Sequence, residues 1–228
     1  MSSTRCSSGR PPGVPRVVLV PGMGLDQRSS ARLRALIAAD VVHLPGMGSR
    51  EPVPPVDALA ARLRAALGDG PVVLVGHSQS CQVVVAAAGD PRVIGLLLLG
   101  PTTDPRMRRL RVLAARWGRT AAREPWVQVP LVLAQWLTTG PRAMAGLWRA
   151  AAPDRIDVRL AAVTVPVVVA RGTADALCPH DWAASLARCA PHGRLVELPG
   201  AAHMAVQTHP ADVVRLLAQL SGGLLGPG

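Results

Sequence analysis

Gly76-His77-Ser78-Gln79-Ser80 sets a serine at the apex of a turn of mostly small residues, directly behind the apolar run Pro71-Val72-Val73-Leu74-Val75. Residues 72–75 read as a short strand buried on both faces, and residues 82–88 beyond the turn carry a helix-compatible pattern. A serine between that strand end and that helix start faces the C-terminal edge of a sheet, where ligands of open α/β folds bind. Its hydroxyl is a poor nucleophile at neutral pH unless a base lies within hydrogen-bond reach, and the base needs an acid to fix its tautomer. Candidate bases are His203, His180 and His209; candidate acids are Asp175 and Asp104. His77 points to the opposite side from Ser78 and reads as a residue that packs below the turn or orients it. The competing reading of Ser78 is a capping serine in an ordinary turn.

Such distant side chains meet only if the chain alternates strands and helices. Strand signals fall at 17–20, 41–44, 72–75, 93–99, 165–170 and 194–198, with helical spacing at 26–39, 56–67, 82–88, 181–190 and 211–220. The pattern predicts an α/β fold, a mostly parallel sheet of about six strands flanked by helices on both faces, with right-handed crossovers. His203 follows the last strand signal and Asp175 the one before it, so both would end on the sheet edge that carries Ser78. After the fourth strand, residues 101–162 form a long insertion that predicts a small helical lid. Met107, Leu110, Leu113 and Trp117 would share one face of a lid helix. Trp117, Trp126, Trp136 and Trp148 all lie in the insertion and are expected to roof Ser78 with apolar surface, packing of lid on core being the plainer alternative. The arginines from Arg106 to Arg123 read as a solvated face; the functional alternative is a site for a carboxylate, a phosphopantetheine arm or an acidic carrier protein.

Residues 1–15 are rich in Ser, Gly and Pro without an apolar stretch, which predicts a disordered leader, not a signal peptide, ahead of a single domain at 16–228. The net charge of +11 rests on 25 basic residues that are all Arg. Lys, Asn, Phe and Tyr are absent, a bias that points to a GC-rich genome, and the arginines are spread along the chain, which argues against nucleic-acid binding. Cys6, Cys81, Cys178 and Cys189 lie far apart and suggest neither a disulfide framework nor a metal site, so a cytoplasmic setting is expected. No run approaches the ~18 apolar residues of a membrane span. The two Pro-Gly-Met-Gly loops lack the Lys-Ser/Thr of a phosphate-binding loop and read as tight turns.

Several segments stand in a telling order: Leu44-Pro45-Gly46-Met47-Gly48-Ser49, the Ser78 turn, Gly100-Pro101-Thr102-Thr103-Asp104-Pro105, Arg171-Gly172-Thr173-Ala174-Asp175 with Pro179, and Leu198-Pro199-Gly200-Ala201-Ala202-His203. Together they resemble the α/β-hydrolase superfamily over most of the chain, starting at the third of that family's eight strands. The departures are Ser80 in place of a glycine, His43 in place of an aspartate, and Pro21-Gly22 in place of His-Gly. The resemblance implies Ser78 as nucleophile, His203 as base and Asp175 as acid, with Asp104 as the alternative acid. It also implies the N–H groups of Gln79 and Met23 as oxyanion donors, and no metal or organic cofactor. The activity it implies is hydrolysis of an ester or thioester of a small apolar-to-amphipathic substrate through an acyl-enzyme. An acyl-carrier or CoA thioester is among the candidates. A biosynthetic thioesterase or cyclase, an acyl-eliminating enzyme and a non-catalytic small-ligand binder are the alternatives.

Overall fold

The computed structural model describes residues 14–222, so residues 1–13 of the expected leader, and Cys6 with them, lie outside the described residues. In chain order the elements are β1 (Arg16–Val20), α1 (Ala31–Arg34), β2 (Ala39–Val41), β3 (Leu44–Pro45), β4 (Gly48–Ser49), α2 (Val56–Ala66), β5 (Val72–His77), α3 (Ser80–Ala87) and β6 (Val93–Leu99). They continue as α4 (Leu110–Ala121), α5 (Gln128–Thr139), α6 (Pro141–Ala151), α7 (Ile156–Leu160), β7 (Val167–Gly172), α8 (His180–Cys189), β8 (Gly193–Leu198), α9 (Ala205–Thr208) and α10 (Pro210–Leu220). Six strands form one parallel sheet in the order β2-β1-β5-β6-β7-β8, while β3 and β4 pair separately. The α/β expectation therefore holds, down to the insertion after the fourth strand of the main sheet.

Strand side chains alternate between two apolar layers. Val72, Leu74, Leu96 and Leu98 face one side, where they pack with Leu59 and Leu63 of α2, Val83 and Val84 of α3 and Leu186 of α8. Val73, Val75 and Leu97 face the other, against Leu33 of α1 and Val213 and Leu217 of α10. Burial on both faces is why these strands read as continuous apolar runs. Each fully buried Leu or Val contributes on the order of 1.5–3 kcal/mol of transfer free energy.

Local departures from the expected elements have local causes. The helix expected at 26–39 shrinks to a 3₁₀ turn, Gln27–Ser30, capped by Asp26, followed by the single turn of α1. β2 begins two residues earlier than predicted, and Leu44 leaves the main sheet to pair with Gly48, because Gly46 and Gly48 take φ of +80° and +88° and fold the chain back on itself. In the insertion, Arg109 is extended and splits the predicted helix. Met107 is buried in a 3₁₀ turn (Pro105–Arg108), whereas Leu110, the first residue of α4, is 74% exposed. Among the described residues no helix is long and apolar enough to cross a membrane.

Candidate active site

The turn after β5 is built by close approach. A Cβ on Gly76 would lie 2.7 Å from Val84 Cγ2 and 2.9 Å from Cys81 Cα, so only glycine lets α3 return so closely over the strand. Ser78, at the apex, has φ of 59°, the one positive φ outside glycine among the described residues. Strain of this kind costs on the order of 1–3 kcal/mol and persists where the surrounding structure over-determines it. Here the Ser78 N–H donates to Leu99 O at 2.8 Å and its carbonyl accepts from Cys81 N at 3.2 Å. Ser80 fills the position where a glycine was expected. Its Oγ accepts the His77 N–H at 2.8 Å and donates to Val20 O at 2.7 Å, stitching the turn to β1.

The second half of the site comes from the two strands beyond β6. Asp175, in the turn after β7, and His203, after β8, are joined by a 2.8 Å hydrogen bond from His203 Nδ1 to Asp175 Oδ2. Both sit at the end of β6, because a Cβ on Gly100 would lie 3.1 Å from Asp175 Oδ2 and 3.1 Å from His203 Nδ1. The other carboxylate oxygen, Oδ1, accepts N–H groups of Leu177 at 2.9 Å and Cys178 at 3.3 Å. Buried Arg171 braces the same turn by donating to Asp175 O at 3.1 Å and Cys178 O at 2.6 Å. Burial works against ionisation of Asp175, yet the His203 charge, its hydrogen bond and the two backbone donors together hold the carboxyl below its ordinary pKa. For His203, burial lowers the pKa, but the Asp175 charge and hydrogen bond, with a further contribution from Glu124, leave it raised. With Nδ1–H donated to a carboxylate, Nε2 is the ring atom left to accept a proton.

The structure therefore brings Ser78, Asp175 and His203 to one rim of the sheet. Ser78 is not hydrogen-bonded to His203. Its Oγ neighbours Thr102 Oγ1 at 3.3 Å, and the serine is only 9% exposed. His77 lies beneath, its ring centroid 4.9 Å from that of His203, and its Nε2 bonds His203 O at 3.0 Å. Burial, with the His203 charge, pushes the His77 pKa down to about 3, so the ring is neutral and donates through Nε2. Asp104 is taken up elsewhere. It is buried and bound by Arg106 Nε at 2.9 and 2.8 Å and by Arg116 Nη1 at 2.5 Å, with no bond to His203. His180 bonds Glu197, and His209 bonds Thr208, so neither alternative base approaches Ser78 through a hydrogen bond.

Met23 lies in the loop beside the turn, where a Cβ on the preceding Gly22 would be 3.1 Å from Ser78 Cβ. Among the described residues no hydrogen-bond partner takes the N–H of Met23 or of Gln79. The four tryptophans expected to roof Ser78 differ in their surroundings. Trp136 packs on Gly24, next to Met23, with Trp117 at 6.1 Å centroid separation, but Trp126 is 86% exposed and Trp148 half-buried. Trp126 follows the last turn of α4 on a segment that faces solvent. A groove of about 590 Å³ between residues 53–57 and the α6–α7 region contains none of Ser78, Asp175 or His203. Sequence reasoning missed the contact of Thr102 with Ser78, although the Gly100-Pro101-Thr102 segment had been singled out. It also missed Thr120 and Glu124 of the insertion, which bond the Asp175 and His203 loops and carry no local motif.

The pattern of the alpha/beta hydrolase family matches residues 17–216. The chain belongs to that family. Among solved structures this alpha/beta hydrolase is similar to a hydrolase, olei00960, from Oleispira antarctica, at a TM-score of 0.74, 16% identity and 91% coverage of each chain. It is also similar to the enol-lactonase from Burkholderia xenovorans LB400, at a TM-score of 0.70, 18% identity and 91% of each chain. At those identities the likeness is one of fold. A curated relative, polyketide synthase ThaQ of Burkholderia thailandensis, is 30% identical over 234 residues, which is 86% of this chain and 11% of the relative. The chain thus spans about a tenth of the length of the curated relative it matches.

Proposed function

We propose that this alpha/beta hydrolase cleaves an ester or thioester of a small organic substrate through an acyl-enzyme on Ser78. The observation that carries the reading is the 2.8 Å bond between His203 Nδ1 and Asp175 Oδ2 at the rim of the strained Ser78 turn. As substrate enters, Ser78 Oγ leaves Thr102 and gives its proton to His203 Nε2 while attacking the carbonyl carbon. Asp175 stays ionised and stabilises the imidazolium. The N–H groups of Gln79 and Met23, which have no partner among the described residues, receive the developing oxyanion, an interaction worth about 2.7–4 kcal/mol per donor in such sites. His203 then protonates the leaving alcohol or thiol, and water attacks the acyl-enzyme by the same route in reverse. The thioester arm leans on similarity to a segment of a protein named a polyketide synthase and on the surplus of arginine in the insertion, which suits an acidic carrier of the acyl group. The insertion serves as the lid, with Trp117 and Trp136 beside the oxyanion loop.

The test is a matched series of short and long acyl p-nitrophenyl esters and acyl-CoA thioesters, assayed with wild type, Ser78→Ala and His203→Ala. Turnover that disappears in both variants supports the proposal. Turnover that survives Ser78→Ala, or none with any member of the series, overturns it.

A further inference from the structure

Two side chains of the insertion reach out of it to the loops that hold Asp175 and His203. Thr120, in the last turn of α4, is 3% exposed, and its Oγ1 accepts the N–H groups of Ala176 at 3.0 Å and Leu177 at 3.2 Å. Glu124 lies one turn further along, its N–H still bonded to Thr120 O at 3.2 Å. Its Oε1 accepts the N–H of Met204 at 2.7 Å, and its Oε2 is buried with no hydrogen-bond partner among the described residues. A spacing of four residues on a helical turn sets the two side chains on the same side. One addresses the residues directly after Asp175, the other the residue directly after His203.

We infer that Thr120 and Glu124 are positioning residues: the end of α4 clasps the acid loop and the base loop together, and Glu124 brings a second carboxylate beside the His203 imidazole. The inference rests on the Asp175–His203 assignment proposed above. The charged and titratable groups facing His203 are Asp175, Glu124 and the neutral ring of His77; those facing Glu124 are His203 and Asp175. Burial raises the pKa of Glu124, against the Met204 N–H and the His203 charge, which lower it; in its ionised form Glu124 favours the imidazolium, adding to the larger contribution of Asp175 to raising the His203 pKa. The geometry makes two separable demands. The loops need an acceptor at Thr120 and at Glu124, whereas of these two side chains only Glu124, through its charge, acts on the imidazole.

Glu124→Gln keeps an oxygen for the Met204 N–H and removes the charge. Its expected effect is to move the His203 titration, followed by histidine-ring NMR and assigned from the signal lost in His203→Gln, to lower pH by about half a unit or more. The acid limb of kcat/KM on a p-nitrophenyl ester should move with it, because hydrolysis needs neutral His203. Thr120→Val keeps the shape and removes the acceptor. It should lower kcat about tenfold or more with KM little changed, and Thr120→Ser should restore it. A His203 midpoint that stays within about 0.1 unit in Glu124→Gln overturns the inference, as does wild-type kcat in Thr120→Val. If Thr120→Val fails to fold, the NMR midpoint decides alone. If the wild-type protein hydrolyses no ester, the proposed function falls, while the NMR midpoint still accepts or rejects the Glu124 carboxylate beside His203.

Discussion

Asp175→Asn separates the proposed site from its nearest rival. Both oxygens of Asp175 are in use: Oδ1 on the N–H groups of Leu177 and Cys178, Oδ2 on His203 Nδ1. An amide cannot serve both. With its oxygen kept on the two backbone donors, its NH₂ faces Nδ1, and the imidazole must carry its proton on Nε2, the atom that has to take the proton of Ser78. With the amide flipped, the NH₂ opposes two N–H groups in a buried turn. The volume is unchanged and the turn can keep its shape, so the loss falls on chemistry: about 10³–10⁴ in kcat, or roughly 4–5.5 kcal/mol of transition-state stabilisation. Asp104→Asn has a different expected outcome. It weakens the buried contacts with Arg106 and Arg116, costs about 1–3 kcal/mol of stability, and changes kcat by less than about tenfold. The assay is steady-state hydrolysis of a p-nitrophenyl ester with urea unfolding of each variant alongside. Retention of about a tenth or more of wild-type kcat in Asp175→Asn, or a larger kcat loss in Asp104→Asn, refutes the reasoning.

Two further predictions concern the turn itself. Ser80→Ala strands the buried His77 N–H and the Val20 carbonyl, so it should cost about 1–3 kcal/mol in urea unfolding, and a variant as stable as wild type would remove Ser80 from the account. His77 gives a pH signature. Its folded pKa is about 3 and that of an unfolded histidine about 6.5, so the unfolded chain binds the extra proton between those values. The stability it contributes is complete above about pH 6.5 and is lost as pH falls toward 3. His77→Gln should therefore flatten the dependence of unfolding free energy on pH in that window, and equal slopes in the two proteins would contradict the buried neutral ring.

The sheet was legible because it is buried on both faces. Strands such as 93–99 are unbroken apolar runs, and the helices of the main fold show their apolar stripe, as Val56, Leu59 and Leu63 do in α2. The Ser78 turn and the order of Asp175 and His203 could be read for a related reason: tight turns at strand ends demand particular residue types. The insertion was less legible. Its helices expose Leu110, Leu133 and Leu137, and the segment between α4 and α5 exposes Trp126, so apolar spacing there does not report which face is buried. Ser80 was read only for its size, because a hydrogen bond to a carbonyl 60 residues away leaves no local pattern. The same holds for Thr120 and Glu124, whose partners lie 56 to 80 residues further along the chain.

Reaction with a fluorophosphonate, followed by mass-spectrometric mapping of the adduct, asks whether Ser78 is an activated nucleophile served by His203. One modified residue, Ser78, is expected, with labelling abolished in Ser78→Ala and slowed at least about a hundredfold in His203→Ala. An unmodified wild-type protein, or an adduct on any other residue, would contradict it.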